Sequence, residues 1–194
     1  MSYLFKDASA FNENVNSWDV SCVTTMEGMF YGASSFNNSL DNWNTTNVTN
    51  TAYMFKDASR FNQALSLWNV ANVKTMKYMF SGAYDFNRDL DSWNIHNVED
   101  TSYMFHRAGK FNGDISTWNV ANIRDMRVMF GRAWSFNQDL SQWDTSKVEN
   151  MNSMFYHARR FNGDITAWDV NSVETTSFMF YRAYAFNQDL SEWF

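Results

Sequence analysis

Proline is absent from the sequence and glycine is scarce, with seven residues in 194. That excludes flexible linkers and leaves no stretch that reads as a disordered tail. Cysteine is represented by Cys22 alone, so no disulfide can close within the chain and the disulfide-scaffold class is excluded. No apolar run approaches the ~18 residues a membrane helix needs, and membrane insertion is not expected. Basic residues are the minority: 15 Lys and Arg against 21 Asp and Glu give a net charge near −6. A nucleic-acid binder normally shows the opposite sign on one face, so no nucleic-acid partner is expected. Also missing are a Gly-rich phosphate loop, a nucleophile elbow and a Ser/His/Asp set. His96, His106 and His157 stand in different parts of the chain without Cys or acidic partners at metal spacing. The expectation is a chain that is not an enzyme and that holds no cofactor and no metal.

What the sequence has in abundance is regularity. Phe5, Phe30, Phe55, Phe80, Phe105, Phe130, Phe155 and Phe180 are spaced 25 residues apart, and Ala8 to Ala183, Phe11 to Phe186, Asn12 to Asn187 and Trp18 to Trp193 keep the same step without exception. A period in this range marks a solenoid, propeller or array. Each of the eight Phe residues heads one coil, no composition shift divides the chain, and residues 1–194 read as a single repeat domain. Aromatic residues make up 19% of the chain and apolar ones 45%, enough for a continuous core.

Within one coil, Val48, Thr51, Met54, Phe55, Ala58 and Phe61 are spaced 3, 3, 1, 3 and 3 apart, which predicts a short helix from Asn47 to about Ser59 with its apolar members on one face. Ser21, Thr46 and Ser146 stand where N-caps belong. Nine of the fifteen cations, among them Lys56, Arg107, Arg132 and Arg182, fall shortly after the Met-Phe step, as at a helix C-terminus. The stretch through Trp143 then reads as a turn into a short strand. The expected fold is α/β: a leucine-rich-repeat-like solenoid of eight 25-residue coils, parallel strands on one side and short helices on the other. Helices are about twice as wide as a strand spacing, so they would lie on the convex side of a horseshoe.

The string Phe136-Asn-x-Asp-Leu-Ser-x-Trp-Asp, continued by Val148, Met151, Met154-Phe155 and Ala158, closely resembles the bacterial surface-protein repeat of 25 to 26 residues, a distant relative of leucine-rich repeats. The resemblance covers essentially the whole chain. It implies display on the cell surface or outside the cell, often in lipoproteins or adhesins, an interaction role, and no catalytic residues. The chain departs from a whole member in showing no export signal, lipidation cysteine or wall anchor; Met1 opens inside a repeat.

Three polar or aromatic columns invite a functional reading and each has a plainer one. The Trp column reads as a stacked core ladder rather than a ligand platform. The Asn column reads as a ladder that satisfies backbone groups. Asp89, Asp114, Asp139, Asp164 and Asp189 read as turn formers, with calcium the rival. Partner recognition falls on the variable positions. Ser9, Ser34, Ser59, Tyr84, Gly109, Trp134, Arg159 and Tyr184 share one column, with Tyr156, Arg160, Tyr181 and Arg182 beside it. Tyr84, Trp134, Tyr156, Arg159, Arg160, Tyr181, Arg182 and Tyr184 are therefore the candidate binding residues for a protein or cell-surface ligand. The leading expectation is a non-enzymatic surface scaffold for protein binding or adhesion. Its rival is a structural subunit that polymerises end to end, a homopolymer joined through Leu4, Phe5, Leu190, Trp193 and Phe194, because no polar capping coil stands at either end.

Overall fold

A computed structural model describes residues 1–193; Phe194, one of the self-association candidates, lies outside the described residues. Successive 25-residue segments stack in parallel and in register, joined by isolated bridges from Thr25↔Asn50 through Asn150↔Thr175. The coil built from Met26 to Asn50 shows how each is made. Met29, Tyr31, Ala33, Phe36, Trp43 and Val48 donate their N–H to the carbonyls of Met26, Gly28, Phe30, Ala33, Leu40 and Thr45, at 2.9–3.2 Å. Every one of these is a three-residue step, so the coil is a chain of tight turns. Between them, the N–H groups of Met26, Gly28, Phe30 and Gly32 point along the stack to the carbonyls of Asn50, Ala52, Met54 and Lys56, at 2.7–2.9 Å. Alternate peptide planes thus lie within the coil and along the stack, and the backbone groups of this segment are satisfied in both directions.

This arrangement overturns the expected α/β solenoid. Among the described residues there is no α-helix and no β-strand, only a 3₁₀ turn at Ser191–Trp193. The reason lies at the third and seventh positions of every coil, counted from Met1, Met26 and so on. In the second coil these are Gly28 at φ 58° and Gly32 at φ 70°; elsewhere thirteen non-glycine residues hold the same left-handed conformation, among them Tyr53, Asp57, Arg107, Val128 and Arg132. A left-handed residue ends an α-helix, and two of them four apart never let one begin. Yet each also completes a turn of the kind that takes φ > 0 at its third residue, so Met26, Met29, Phe30, Ala33 and Phe36 all still face inward and are fully buried. Spacings of 3, 1, 3 and 3 serve a succession of turns as well as they serve a helix.

Three further expectations change with it. Ser21, Thr46 and Ser146 cap no helix; their N–H groups donate to the Asp19, Asn44 and Asp144 carboxamide or carboxylate oxygens two residues earlier. The parallel pairing predicted after Trp143 falls instead on the last position of each coil, from Thr25 to Thr175, and never lengthens beyond single bridges. The cations after the Met-Phe step meet no helix terminus, because none exists among the described residues.

The ladders are observed. Phe80 lies 4.0 Å from Phe86 within its coil and 5.6 Å from Phe105 in the next, ring on ring, a pattern carried from Phe5 to Phe186. Trp43 to Trp193 are buried, and Trp43 stacks on Trp68, and Trp93 to Trp193 each on the next, at 6.1–6.5 Å. Each indole N–H from Trp43 to Trp168 donates across the coil boundary, as Trp93 does to the Leu65 carbonyl at 2.9 Å. Asn37 to Asn187 each donate a backbone N–H to the side-chain oxygen of the Asn one coil earlier, at 2.7–3.0 Å. These asparagines run along the surface of the stack, exposed or half-buried. Asp114, Asp139, Asp164 and Asp189 accept the N–H two residues on, the turn-forming arrangement. Those backbone bonds and the accompanying hydroxyl bonds hold the Asp114, Asp164 and Asp189 carboxyls below the ordinary range.

Candidate functional site

The left-handed seventh residue turns the chain so that Phe at position five and Ala at position eight face the core. The side chains at positions seven and nine are left toward the surface, while those at position six range from the exposed Lys6 and Tyr181 to the buried Ser81. Position nine is held in line by its own backbone bonds: Asp85, Lys110, Ser135 and Ala185 donate to the carbonyls of Ser59, Tyr84, Gly109 and Arg159 in the preceding coil, at 3.0–3.2 Å. Whatever residue occupies position nine is therefore displayed on a straight lane along the stack.

The lane brings the candidate binding residues together. The Tyr84 ring meets Trp134 edge-on at 6.0 Å, two coils away, because Gly109 lies between them; a Cβ there would stand 2.5 Å from the Tyr84 ring. The Arg159 guanidinium lies 5.8 Å over Trp134, and Arg182 lies 5.2 Å over Tyr181. Tyr156 and Tyr181 stack at 5.4 Å. Tyr184 is 72% exposed, and Arg160 is exposed beside Arg159 and joins none of these ring contacts.

Two residues absent from the sequence-based set lie at the centre. Arg107 and Arg132, both at position seven, line a hollow of about 460 Å³ with Asp57, Gly82, Tyr84 and Trp134. The same two arginines line a second hollow of about 350 Å³ with Tyr103, His106 and Tyr156, where Arg132 lies 5.8 Å over the Tyr156 ring. The signal that could have found them is the position itself. It holds Asp7, Gly32, Asp57 and Gly82 in the first four coils, residues suited to φ > 0, and Arg107, Arg132, His157 and Arg182 in the last four. Of the four ion pairs among the described residues, Lys56–Asp57, Lys110–Asp85, Arg124–Glu149 and Arg127–Asp125, none takes in Arg107, Arg132, Arg159 or Arg182.

The charge of the lane is felt by its histidines. Burial first, then the Arg107 and Arg132 guanidiniums and Lys56, push His106 down to about 4 from 6.5. His157 is lowered in the same direction by loss of solvent and by Arg182, Arg132 and Arg159. Between pH 6.5 and about 4 the unfolded chain binds a proton at His106 that the folded one refuses, so stability falls as pH falls through that window. Tyrosine fills the equivalent position at Tyr31, Tyr156 and Tyr181. The melting temperature of His106→Tyr should therefore lose less than the parent's between pH 7 and 4; an identical slope would show that His106 is not the source.

The self-association candidates are not brought together within one chain. Leu4, 51% exposed, and Phe5, stacked 5.5 Å from Phe30, belong to the first coil. Leu190 and Trp193 belong to the last, where Trp193 stacks 6.3 Å from Trp168 and its indole nitrogen is buried without a partner. They line an apolar hollow of about 460 Å³ with Phe178, Met179 and Phe180.

Stacked coils with unvarying inward columns and one variable outward lane define a tandem-repeat protein. The chain belongs to the family described as Mycoplasma protein of unknown function, DUF285, whose pattern matches residues 1–116 and again 85–193. No curated protein matches the sequence. Among solved structures, a crystal structure of a TLR13–ssRNA13 complex is similar at 12% identity and a TM-score of 0.32, covering 84% of this chain and 27% of that one. The chain thus spans about a quarter of that protein's described length, and so low a score carries no argument. No helix among the described residues is long and apolar enough to cross a membrane.

Proposed function

We propose that the chain is a non-enzymatic scaffold, displayed at the cell surface, that binds a protein partner along the lane of its fourth to eighth coils. The observation that carries this reading is the change at position nine. Ser9, Ser34 and Ser59 give way to Tyr84, Trp134, Arg159 and Tyr184, while backbone bonds of one kind run beneath the lane on both sides of the change, to the Ser9 and Ser59 carbonyls before it and to the Tyr84 and Arg159 carbonyls after it. Those large side chains stay outside the core and touch mainly one another: Tyr84, Trp134 and Tyr184 are exposed, and aromatic and arginine anchors are the residues that dominate protein interfaces. Surface display is supported by the resemblance to bacterial surface-protein repeats and by membership of the Mycoplasma family. A photo-reactive amino acid placed at Trp134 is expected to cross-link a protein from a surface-protein extract, while the same group at Thr117, elsewhere on the coil, should not. Equal labelling from both positions would refute the lane.

A second reading, end-to-end self-association, is favoured by the polarity of the ladder. In the coil before the last, Ser153, Phe155 and His157 donate N–H to the carbonyls of Ser177, Met179 and Tyr181 in the following coil; the equivalent groups of Phe178, Phe180 and Arg182 face out of the stack. In the second coil the carbonyls of Glu27, Met29 and Tyr31 accept from the coil before; the equivalent carbonyls of Ser2, Leu4 and Lys6 face out at the other end. A second copy set in register supplies each group's missing partner. It also brings the Trp18 indole, 37% exposed, to the Leu190 carbonyl and Phe5 onto Phe180.

A further inference from the structure

We infer that Arg107 and Arg132 receive the carboxylates of an acidic protein segment, whose neighbouring apolar side chain enters the hollow walled by Tyr84 and Trp134. The inference rests on the lane reading and names the chemistry of its partner.

The backbone is the first argument. Arg107 and Arg132 hold φ of 62° and 59°, a conformation that suits glycine, asparagine or aspartate and disfavours a long side chain. The first four coils place Asp or Gly at this position and stack in the same way. Folding alone does not call for arginine here.

Charge is the second. The two guanidiniums project from consecutive coils, whose Phe105 and Phe130 rings are 5.8 Å apart, and like charges facing each other on adjacent chain segments are destabilising. Around them stand Tyr103, His106, Lys56, Ser153, Tyr156 and Asp57. Asp57 is the one carboxylate of that set, and it leans onto Gly82 and pairs with Lys56 at 3.7 Å. The repulsion is left uncompensated by the protein, and an anion relieves it.

Shape is the third. A guanidinium fork takes a carboxylate through two parallel hydrogen bonds. In an extended segment, carboxylates on alternate residues lie about 6.6 Å apart, close to one step of the stack. The next residue on the same face then reaches the hollow floored by Gly82 and walled by Tyr84 and Trp134. The ring faces of Trp134, Tyr156 and Tyr181 are already covered by Arg159, Arg132 and Arg182. They are poorly placed to stack on a sugar, which favours a peptide over a sulfated glycan.

The test uses a fluorescein-labelled peptide containing Leu-Ser-Glu-Ser-Glu, the same peptide with Lys for Glu, and dextran sulfate. The acidic peptide should bind and weaken with added salt, and the lysine peptide should not. Arg107→Gly with Arg132→Gly should weaken binding at least about tenfold, the loss of charge-assisted hydrogen bonds, with a thermal midpoint no lower than the parent's. If that variant loses the fold, Arg107→Gln with Arg132→Gln serves as the binding control. Unchanged affinity in the folded variants, equal binding of the lysine peptide, or binding of dextran sulfate alone overturns the proposal. Failure of the acidic peptide while cross-linking from Trp134 persists removes the carboxylate assignment only; loss of both removes the lane.

Discussion

Trp93→Ala is expected to lower the unfolding free energy by about 3–5 kcal/mol, the usual cost of emptying a large aromatic site. Trp93 is 3% exposed and stacks on Trp118 at 6.5 Å. Its loss also leaves the Leu65 carbonyl, which accepts the indole N–H at 2.9 Å, buried without a donor. An unsatisfied buried group costs about 1–3 kcal/mol, so Trp93→Phe, which restores most of the apolar surface, should still fall short of the parent by about that amount. Denaturant titration of the two variants separates the terms. A Trp93→Ala protein as stable as the parent would show that the indoles are not the core ladder described here.

The second large effect is on assembly. At high concentration the 194-residue chain is expected to sediment as end-to-end polymers, and Leu4→Glu is expected to return it to monomer. Leu4 makes little of the fold's core, since half its surface is open. In a junction it would be covered by the apolar hollow at Phe178, Phe180 and Trp193, where an unpaired carboxylate is strongly disfavoured. Phe178→Glu on the opposite face, at a residue 67% exposed, should have the same effect, and mixing the two variants should not rescue long polymers. A parent chain that stays monomeric at millimolar concentration contradicts the second reading and leaves the lane untouched.

The repeat, its period and the identity of its inward columns were legible in the sequence, because a residue copied at every step from Phe5 to Phe180 has to meet its own copies in the stack. The asparagine ladder was legible for the same reason, since an amide repeated in every coil can accept one backbone N–H per step. The helix was a misreading with a physical cause. Met54, Phe55, Ala58 and Phe61 face one side in a helix and in a run of turns alike, and the residues that decide between them are the left-handed ones. Gly28, Gly32 and Gly82 marked those positions, but Tyr53, Tyr78, Arg107 and Arg132 hid them, being ordinary helix formers held at φ near 60° by the ladder. The lane was half legible. Tyr84, Trp134 and Arg159 stood out against Ser9, Ser34 and Ser59, whereas Arg107 and Arg132 were absorbed into a helix terminus that the structure does not contain.

The central claim is that the inward columns make the fold and position nine makes the partner site. Exchanging Tyr84, Trp134, Arg159 and Tyr184 together for serine, the residue of the first three coils, tests it most directly when stability and partner capture are measured on the same preparation. Exposed substitutions away from special contacts usually change stability by no more than about 0.5 kcal/mol each. The fourfold variant should therefore melt as a single cooperative stack close to the parent while capture of the surface-protein partner is lost. A variant that unfolds as badly as Trp93→Ala, or one that still captures the partner at the parent's level, would contradict the account.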